Sequence, residues 1–416
     1  MNGQWYYVQN GAPAGPVGWE GLLRLAGQGA VQAATYVWQE GMPAWRPAGE
    51  IPGLVPPPLP PPAGLPVPPP SGRSILGEIG VGISRAAELP TLSGVPIREV
   101  LLGGLQPGVT TRHIEDLFIV GTETTTPPLA SLPSGWPTPR VFWRIFFGAM
   151  ATYLLLLMGL RMFGNPNFLP GMLVIGSFVV PLSIVVLFFE LNVPRNVSTY
   201  QVGKMILLGG ALSLILTMIV GALIPFDGVG HLIPAMLTGV VEEVGKALVL
   251  LIIVGAVRYR YQLNGLLLGS AVGAGFAGFE SAGYAFGTET IEAATGNILL
   301  RGLLAPGGHV IWTAMVGAAL WKVKGDRRFE VGMLFHPVVL RRGVVAVVLH
   351  GLWDTDLPLI PPILNCVLLL IVGWYIVFAI LKESLAEVEA AKKVAEAEAG
   401  TGVVIAAVAP GPRYPA

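Results

Sequence analysis

VVEEVGKALVLL, residues 240–251, places two glutamates and a lysine inside an apolar run of the kind that forms membrane helices. A charged side chain deep in a bilayer costs about 2.5–3.5 kcal/mol on insertion scales, so such residues usually face the interior of a helix bundle. Lys246 stands four residues after Glu242 and three after Glu243, which puts it within reach of either carboxylate on one helix face. The segment therefore predicts a membrane bundle whose interior carries ionisable groups.

Three further pairs of residues repeat the spacing of four between Glu242 and Lys246, which places both members of a pair on one helix face. The pairs are Phe276 and Glu280 in AGFAGFESAGYAF, His309 and Thr313 in GGHVIWTAMVG, and His350 and Asp354 in VVLHGLWDT. All three segments are otherwise largely apolar. Several inward faces that carry carboxylates and imidazoles predict a site assembled between helices.

The composition of the chain is that of a polytopic membrane protein. Its 416 residues are 53% hydrophobic and only 12% charged, whereas a soluble domain carries about 25% charged residues. With 25 basic and 25 acidic residues, the chain shows no sign of nucleic-acid binding. About eight apolar stretches are each roughly long enough for a hydrocarbon core of about 30 Å, the seventh only marginally. They cover 141–163, 168–189, 203–224, 231–256, 263–286, 301–321, 343–358 and 362–381.

The charges of the loops predict the orientation of the bundle. Basic loops, such as those that hold Arg258 and Arg260 or Arg341 and Arg342, alternate with loops in which Arg301 is the only basic residue. By the positive-inside rule, both termini then lie in the cytoplasm. The N-terminal residues lack the basic and apolar regions of a signal peptide, so we expect the first apolar span to direct insertion into the lipid bilayer.

The first 52 residues predict a small α+β cytosolic domain. Short aromatic strands flank a turn at Gly15-Pro16 and a short helix, and four tryptophans occur within fifty residues. The WYY near the start, the Gly-Pro pair and the segment from Trp38 to Trp45 resemble GYF-like domains fused to bacterial membrane proteins. Val17 departs from the eukaryotic GYF signature, which has Phe there.

This resemblance implies that exposed aromatic rings of the domain bind proline-rich segments. The candidate rings are Trp5, Tyr7, Trp38 and Trp45. Alternatively, these rings only form the core of a very small domain.

Four further regions follow the aromatic domain. Residues 53–72 predict a proline-rich linker, which is either a spacer or an internal ligand for the aromatic domain. Residues 73–139 predict a loosely structured cytosolic connector, and 140–382 the membrane domain. Residues 383–416 predict a charged cytosolic helix and a disordered tail.

The ionisable residues of the membrane domain have simpler explanations as well. Lys246 and one glutamate could form a buried ion pair that only holds helices together, and Glu280 or a histidine could make a packing hydrogen bond. Buried Glu and His also build proton relays, as in proton-coupled transporters, although the sequence shows no inverted repeats. A third alternative is an inactive scaffold or sensor that recruits proline-rich partners.

The polar segments occur in the order seen in a known family. EEVGK, FAGFE, HVIWT and HGLWD, at 242–246, 276–280, 309–313 and 350–354, resemble the EExxK, FxxxEN, HxxxT and HxxWN motifs of PrsW-type intramembrane proteases. FFELNVPRN at 188–196 is similar to the segment after the family's second span. The resemblance covers about residues 140–382 and extends more distantly to the CAAX prenyl endopeptidases. Ser281 and Asp354 depart from it, since each stands where the motifs have Asn.

The resemblance implies an intramembrane endopeptidase of a bacterial plasma membrane that cuts membrane-associated proteins or peptides, possible substrates including anti-sigma factor-like proteins. Glu242 and Glu243 would then contain the general base that activates water. His309 and His350 would hold that water and the scissile carbonyl, with Glu280 assisting. The supporting positions of the motifs are Lys246, Phe276, Thr313 and Asp354.

Two mechanisms fit these residues. In a metallopeptidase, His309, His350 and a glutamate would bind one zinc ion and leave a position open for water. In a glutamic mechanism no metal takes part, because a glutamate accepts a proton from water and histidine hydrogen bonds stabilise the oxyanion. The chain has no HExxH zinc motif. We therefore expect either no cofactor or one zinc ion, and favour the glutamic mechanism.

Overall fold

The computed structural model of the protein describes residues 3–9, 12–42, 44–54, 75–103, 110–223, 231–254 and 259–401. Its internal contacts divide the chain into two compact units, Met1–Ser74 and Ile75–Ala416. The linker predicted over 53–72 lies outside the described residues from residue 55 onward, and the predicted tail lies outside them from residue 402.

A four-stranded antiparallel sheet and one helix form the N-terminal unit. The elements are β1 (Trp5–Gln9), β2 (Ala12–Val17), α1 (Trp19–Gly27), β3 (Tyr36–Gln39) and β4 (Arg46–Pro47). The strands lie in the order β2-β1-β3-β4. Leu22 of α1 packs with Val37 and Leu54 in a small apolar core, so the unit has the strands and helix that the sequence predicts.

The alternation of side chains along β1 divides its aromatic residues between the core and the surface. Trp5 and Tyr7 are buried, at 3% and 9% exposure, so they belong to the core and cannot offer a ring face to a peptide. Tyr6 is partly exposed, and its ring centroid lies 5.9 Å from that of Trp38, which lies 6.4 Å from that of Trp45. The surface aromatic group is therefore Tyr6, Trp38 and Trp45.

The connector holds more structure than the sequence predicts. Its helices are α2 (Ile75–Ala86), α3 (Ile97–Leu102) and α4 (Thr111–Phe118). Leu89, Val100, Leu117 and Leu132 are buried in the same apolar core as the membrane helices. These residues are scattered among Gly, Pro and Thr, and they pack against the helices of the bundle. Their burial is therefore not predicted by any local periodicity of the connector sequence.

In the described residues of the membrane domain, ten further α-helices follow. They are α5 (Phe142–Phe163), α6 (Leu169–Leu191), α7 (Thr199–Lys204), α8 (Gly210–Leu223), α9 (Leu232–Val254), α10 (Gln262–Phe286), α11 (Ile291–Leu304), α12 (His309–Lys324), α13 (Pro337–Trp353) and α14 (Pro362–Thr401). A π-helical turn, Met205–Gly209, joins α7 to α8. The span predicted over 301–321 is interrupted, because a 3-10 turn at Ala305–Gly307 separates α11 from α12. The charged helix predicted after Lys382 continues α14 without a break.

Among the described residues, five helical stretches are long and apolar enough to cross a membrane. They are Phe142–Phe163, Pro166–Leu191, Thr199–Leu223, Ile291–Lys324 and Pro362–Ala397. The protein is therefore an integral membrane protein. Helix α9 carries Glu242, Glu243 and Lys246, α10 is rich in glycine, and α13 has only 17 residues. These three helices are not among the five, and the predicted number of eight spans stays a prediction.

Glycines of α10 bring α12 close to it. A methyl group at Gly273 would lie 2.3 Å from the carbonyl oxygen of His309, and one at Gly269 would lie 2.4 Å from that of Thr313. Gly275 packs equally closely on the π-helical turn. Because only glycine permits such contacts, this stripe fixes the backbone of α12 against α10 at the two motif positions of α12.

Polar side chains of the segment FFELNVPRN bind the start of α5 and the start of α10. The Glu190 carboxylate accepts hydrogen bonds from backbone N–H groups at the start of α5, at 2.7–3.0 Å. The helix dipole also stabilises a negative charge at this end of the helix. The side chains of Asn192 and Asn196 accept from Nδ2 of Asn264, at 3.0 and 2.6 Å, and tie α6 to α10. The polar residues of this segment thus hold the frame around the site.

Candidate active site

Four helices bring the predicted residues together in the membrane domain. Helix α9 supplies the two glutamates and Lys246, α10 supplies Phe276 and Glu280, α12 supplies His309 and Thr313, and α13 supplies His350. Helix α12 contacts α9, α10 and α13, and α9 also contacts α13. The paired spacings of the sequence therefore converge on one place in the bundle.

Lys246 lies at the centre of this cluster. Its side chain has no solvent exposure, and its Nζ lies 3.1 Å from Glu242 Oε2 and 2.8 Å from Glu243 Oε1. The same Nζ lies 2.9 Å from Nδ1 of His309 and 3.8 Å from the centroid of the Phe276 ring. One ammonium group therefore neutralises part of the charge of both glutamates and fixes one histidine.

His309 lies between Lys246 and Glu280. Because an ammonium group can only donate, Nδ1 of His309 accepts from Lys246 and the opposite nitrogen, Nε2, donates to Glu280 Oε2 at 3.1 Å. Arg301 of α11 pairs with the same carboxylate oxygen, and its Nε donates to Oγ of Ser281 at 2.8 Å. Glu280 is therefore the orienting partner of the His309 ring, and Arg301, which itself donates to Ser281, holds that acid in place.

Arg301 is a residue of the site that the motifs do not show. The only sequence signal is that Arg301 is the one basic residue among the segments that the charge pattern predicts on the side opposite the cytoplasm, although the structure places it in α11. Ser281, which departs from the family's Asn, still provides a hydrogen-bonding group, and here it accepts from Arg301.

His350 is held between acids on both sides of its ring. Its Nδ1 lies 3.1 Å from Glu243 Oε1, and its Nε2 lies 3.3 Å from Asp354 Oδ2 and 3.7 Å from Glu242 Oε2. Its ring stacks on Trp312 with centroids 4.6 Å apart. Asp354 thus makes the hydrogen bond to the ring that an Asn at this position could also make.

Exposure rises from one side of the cluster to the other. The Glu243 side chain is 2% exposed and Glu242 9%, whereas Glu280 is 17%, Asp354 28% and Arg301 30% exposed. Thr313 Oγ1 lies 3.5 Å from Glu243 Oε2, at the limit of a hydrogen bond. The site therefore opens on the side of Arg301 and Asp354, and Glu243 lies at its closed end.

The donor groups of the cluster fit a zinc ion. Glu242, His309 and His350 each offer one ligand atom, and these atoms lie within 4.8 Å of one another. Oε2 of Glu242 is 3.9 Å from His309 Nδ1 and 3.7 Å from His350 Nε2, slightly wider than the roughly 3.3 Å between donors of a tetrahedral zinc site. Among the described residues of the cluster, four acids face the ammonium group of Lys246 and the guanidinium group of Arg301, so a divalent cation is also compatible in charge. Lys246 Nζ contacts two of the three donors and would have to move towards Glu243.

Family models match residues in each of the two units. Residues 198–381 match the PrsW family intramembrane metalloprotease, and residues 5–54 match GYF domain 2. No curated protein and no solved structure matches the chain. The matched residues include all four motifs and the four helices of the cluster, which supports intramembrane peptidase activity. By these matches, residues 198–381 resemble a PrsW family intramembrane protease domain and residues 5–54 a GYF domain.

Proposed function

We propose that the protein is an intramembrane endopeptidase that hydrolyses a peptide bond of a membrane-associated protein with a glutamate-activated water. The observation that carries this proposal is the convergence of two glutamates, Lys246, His309 and His350 within hydrogen-bonding distance inside the bundle. A purely structural ion pair needs one acid and one base, and it needs neither the second glutamate nor two histidines.

Glu242 is our choice for the general base. It is the more accessible of the two glutamates, and its Oε2 lies on the same side of the cluster as Nδ1 of His309 and Nε2 of His350, at 3.9 and 3.7 Å. A water molecule in contact with these three groups would lose a proton to Glu242 as it attacks the substrate carbonyl. Glu243 holds Lys246 and His350 from the closed end, so it is the positioning acid.

The oxyanion formed by that attack needs donors that are already in place. His350 is the main candidate, because Glu243 and the stacked Trp312 fix its ring. Lys246 adds positive charge close to the same groups. Proton return to the leaving amine then falls to Glu242, which received the proton from water.

Glu242, His309 and His350 would also be the ligands of a zinc ion. When bound, zinc would supply Lewis-acid activation of water and of the carbonyl. The same side chains thus serve either mechanism.

We further propose that both termini lie in the cytoplasm of a bacterial cell and that the site opens towards the opposite side. The predicted orientation places the first turn of α12 and the last turn of α13 in the outer half of the bilayer. A substrate segment in the membrane, such as that of an anti-sigma factor-like protein, would then reach the site from the side of Arg301 and Asp354. The aromatic surface of the GYF domain would bind proline-rich segments through Tyr6, Trp38 and Trp45.

Mapping of new protein termini tests this function without a known substrate. Membranes from cells that express the wild-type protein, Glu242→Gln or Glu292→Gln are compared by mass spectrometry of terminal peptides. Glu292 is an exposed acid of α11 outside the cluster and is the matched control. We expect new termini in or beside membrane spans with the wild type and Glu292→Gln only. The same termini with Glu242→Gln would refute the assigned base.

A further inference from the structure

The membrane domain contains a cavity that shares no residue with the cluster. It has a volume of about 780 Å³ and lies between α5, α6, α11 and α14, with part of α3 at one end. Aromatic residues such as Trp143, Phe146 and Trp374 line it together with aliphatic side chains. A well-formed pocket of this size lies within the range of about 300–1,000 Å³ that ligand sites occupy.

The few polar side chains that line this cavity are nearly all bonded to the protein. Ser183 Oγ donates to a backbone carbonyl at 2.6 Å, and Trp374 Nε1 donates to another at 2.9 Å. The Tyr375 hydroxyl lies 2.8 Å from Ser84 Oγ. Tyr153 alone among the lining residues has a hydroxyl with no partner in the described part of the chain. An occupant therefore finds apolar contacts and at most one hydrogen bond from a side chain.

The size and chemistry of the cavity exclude a peptide span as its occupant. A helix about 10 Å across would fill 780 Å³ with only about two turns, whereas a membrane span needs about 20 residues. An extended peptide would leave its backbone N–H and C=O groups without partners, which is strongly unfavourable in an apolar cavity. A hydrocarbon chain has no such groups and suits the lining.

We propose that this cavity binds the acyl chains of an anionic phospholipid. Positive charge beside α3 and the start of α5, which both line the cavity, points to an anionic headgroup. The exposed side chains of Arg98, Arg140 and Arg144 lie within three residues of the lining residues Ile97 and Trp143. Glu99 is the exposed acid of the same stretches, and Glu190 is already bonded to the backbone at the start of α5. Three cations against these two acids leave a net positive charge, which favours a phosphate headgroup.

The bound acyl chain would pack against α11, the helix that supplies Arg301 to the site. Ile298 and Gly302 of α11 line the cavity, and Arg301 of the same helix pairs with Glu280. The lipid therefore contacts the face of α11 that carries Ile298 and Gly302, whereas Arg301 reaches the site from another face of the same helix.

Two glycines of α11 give a matched pair of variants. A methyl group at Gly302 would meet only Val180, at 4.0 Å, so the side chain of Gly302→Leu extends into the cavity. Gly296 is exposed, has open space around it and does not line the cavity. Both changes replace a glycine of one helix, so Gly296→Leu is the control for effects on the helix itself.

The test is photolabelling of the purified full chain with phosphatidylglycerol that carries a diazirine in one acyl chain. The labelled peptides are mapped by mass spectrometry, and the lipid concentration for half-maximal labelling is measured. We expect labelling of the cavity lining, and an about fifteenfold higher half-labelling concentration in Gly302→Leu, as for an acyl chain that loses the burial of two methylenes. Gly296→Leu should behave as the wild type.

Three results would overturn the proposal. One is labelling spread evenly over outward residues such as Met218 and Ile252, with no effect of Gly302→Leu. Another is equal labelling by phosphatidylcholine with the same chains, which would remove the anionic headgroup. If Gly302→Leu fails to fold, Leu299→Trp, at a half-exposed lining position, takes its place. Wild-type affinity in that variant would also contradict an acyl-chain site.

Discussion

Replacement of Lys246 by Met tests whether one cation holds the cluster together. The ammonium group is fully buried and lies 3.1 and 2.8 Å from the two glutamates. Removal of one partner of a buried ion pair costs about 3–5 kcal/mol, because it leaves an uncompensated charge. Since two carboxylates lose their partner here, we expect a loss towards the upper end of that range. This corresponds to a fall of about 10 °C or more in unfolding temperature, measured by intrinsic fluorescence of the purified protein in one detergent.

Lys324→Met is the matched control for this experiment. Lys324 is also buried, but its Nζ donates to backbone carbonyls at 2.9 and 3.1 Å. Its loss orphans no charged group and should cost about 1–3 kcal/mol. In a double variant, Glu243→Gln should restore part of the stability lost in Lys246→Met, with a coupling of about 0.5–3 kcal/mol. Equal effects of the two lysine changes, or a purely additive double variant, would refute the assigned geometry.

Three further outcomes follow from the contacts of the site. Arg301→Met should lower kcat on a reconstituted substrate strongly and the unfolding temperature only slightly, because Arg301 is partly exposed and acts through Glu280. Arg301→Lys should recover only part of the lost kcat, since Lys cannot form both contacts of the guanidinium group. Asp354→Asn keeps an acceptor for His350 Nε2 and should change kcat by no more than about fivefold, which corresponds to the roughly 1 kcal/mol between charged and neutral hydrogen bonds. Replacement of the exposed Asp356 by Asn is the control and should leave kcat unchanged. Treatment with a chelator should change the unfolding temperature by no more than about 2 °C, because Lys246 already neutralises the glutamates. Under the favoured glutamic mechanism we also expect activity to persist. Loss of activity together with one zinc ion per chain, and its recovery when zinc is added back, would assign the metal mechanism.

The sequence predicts the members of the site better than their roles. Spacing alone places Glu242 and Lys246 on one face, and the order of the motifs selects His309 and His350. The ring partner of His309 depends on how α10, α11 and α12 meet, and this information is not local. Arg301 stands 21 residues after the acid that it holds, so no helical period connects the two.

The fold shows the same division between local and non-local information. Apolar runs predict the long helices, and strand alternation would have assigned Trp5 and Tyr7 to the core, with Tyr6 on the other face. The break between α11 and α12 is signalled by Pro306 and the two glycines after it, within a run that otherwise looks continuous. The packing of the connector, in contrast, depends on surfaces of the bundle that its own sequence does not contain.

The most direct test of the central claim is cleavage by the purified protein in proteoliposomes prepared with H₂¹⁸O. The substrate is a membrane segment identified by the mapping of new termini, and the products are examined by mass spectrometry. We predict that the wild type and Glu292→Gln release two fragments, with ¹⁸O in the new carboxyl group, and that Glu242→Gln and His350→Ala release none. General-base loss lowers rates by about 10²–10⁴. Cleavage at wild-type rate by Glu242→Gln, or fragments without ¹⁸O, would contradict a peptidase that uses this glutamate to activate water.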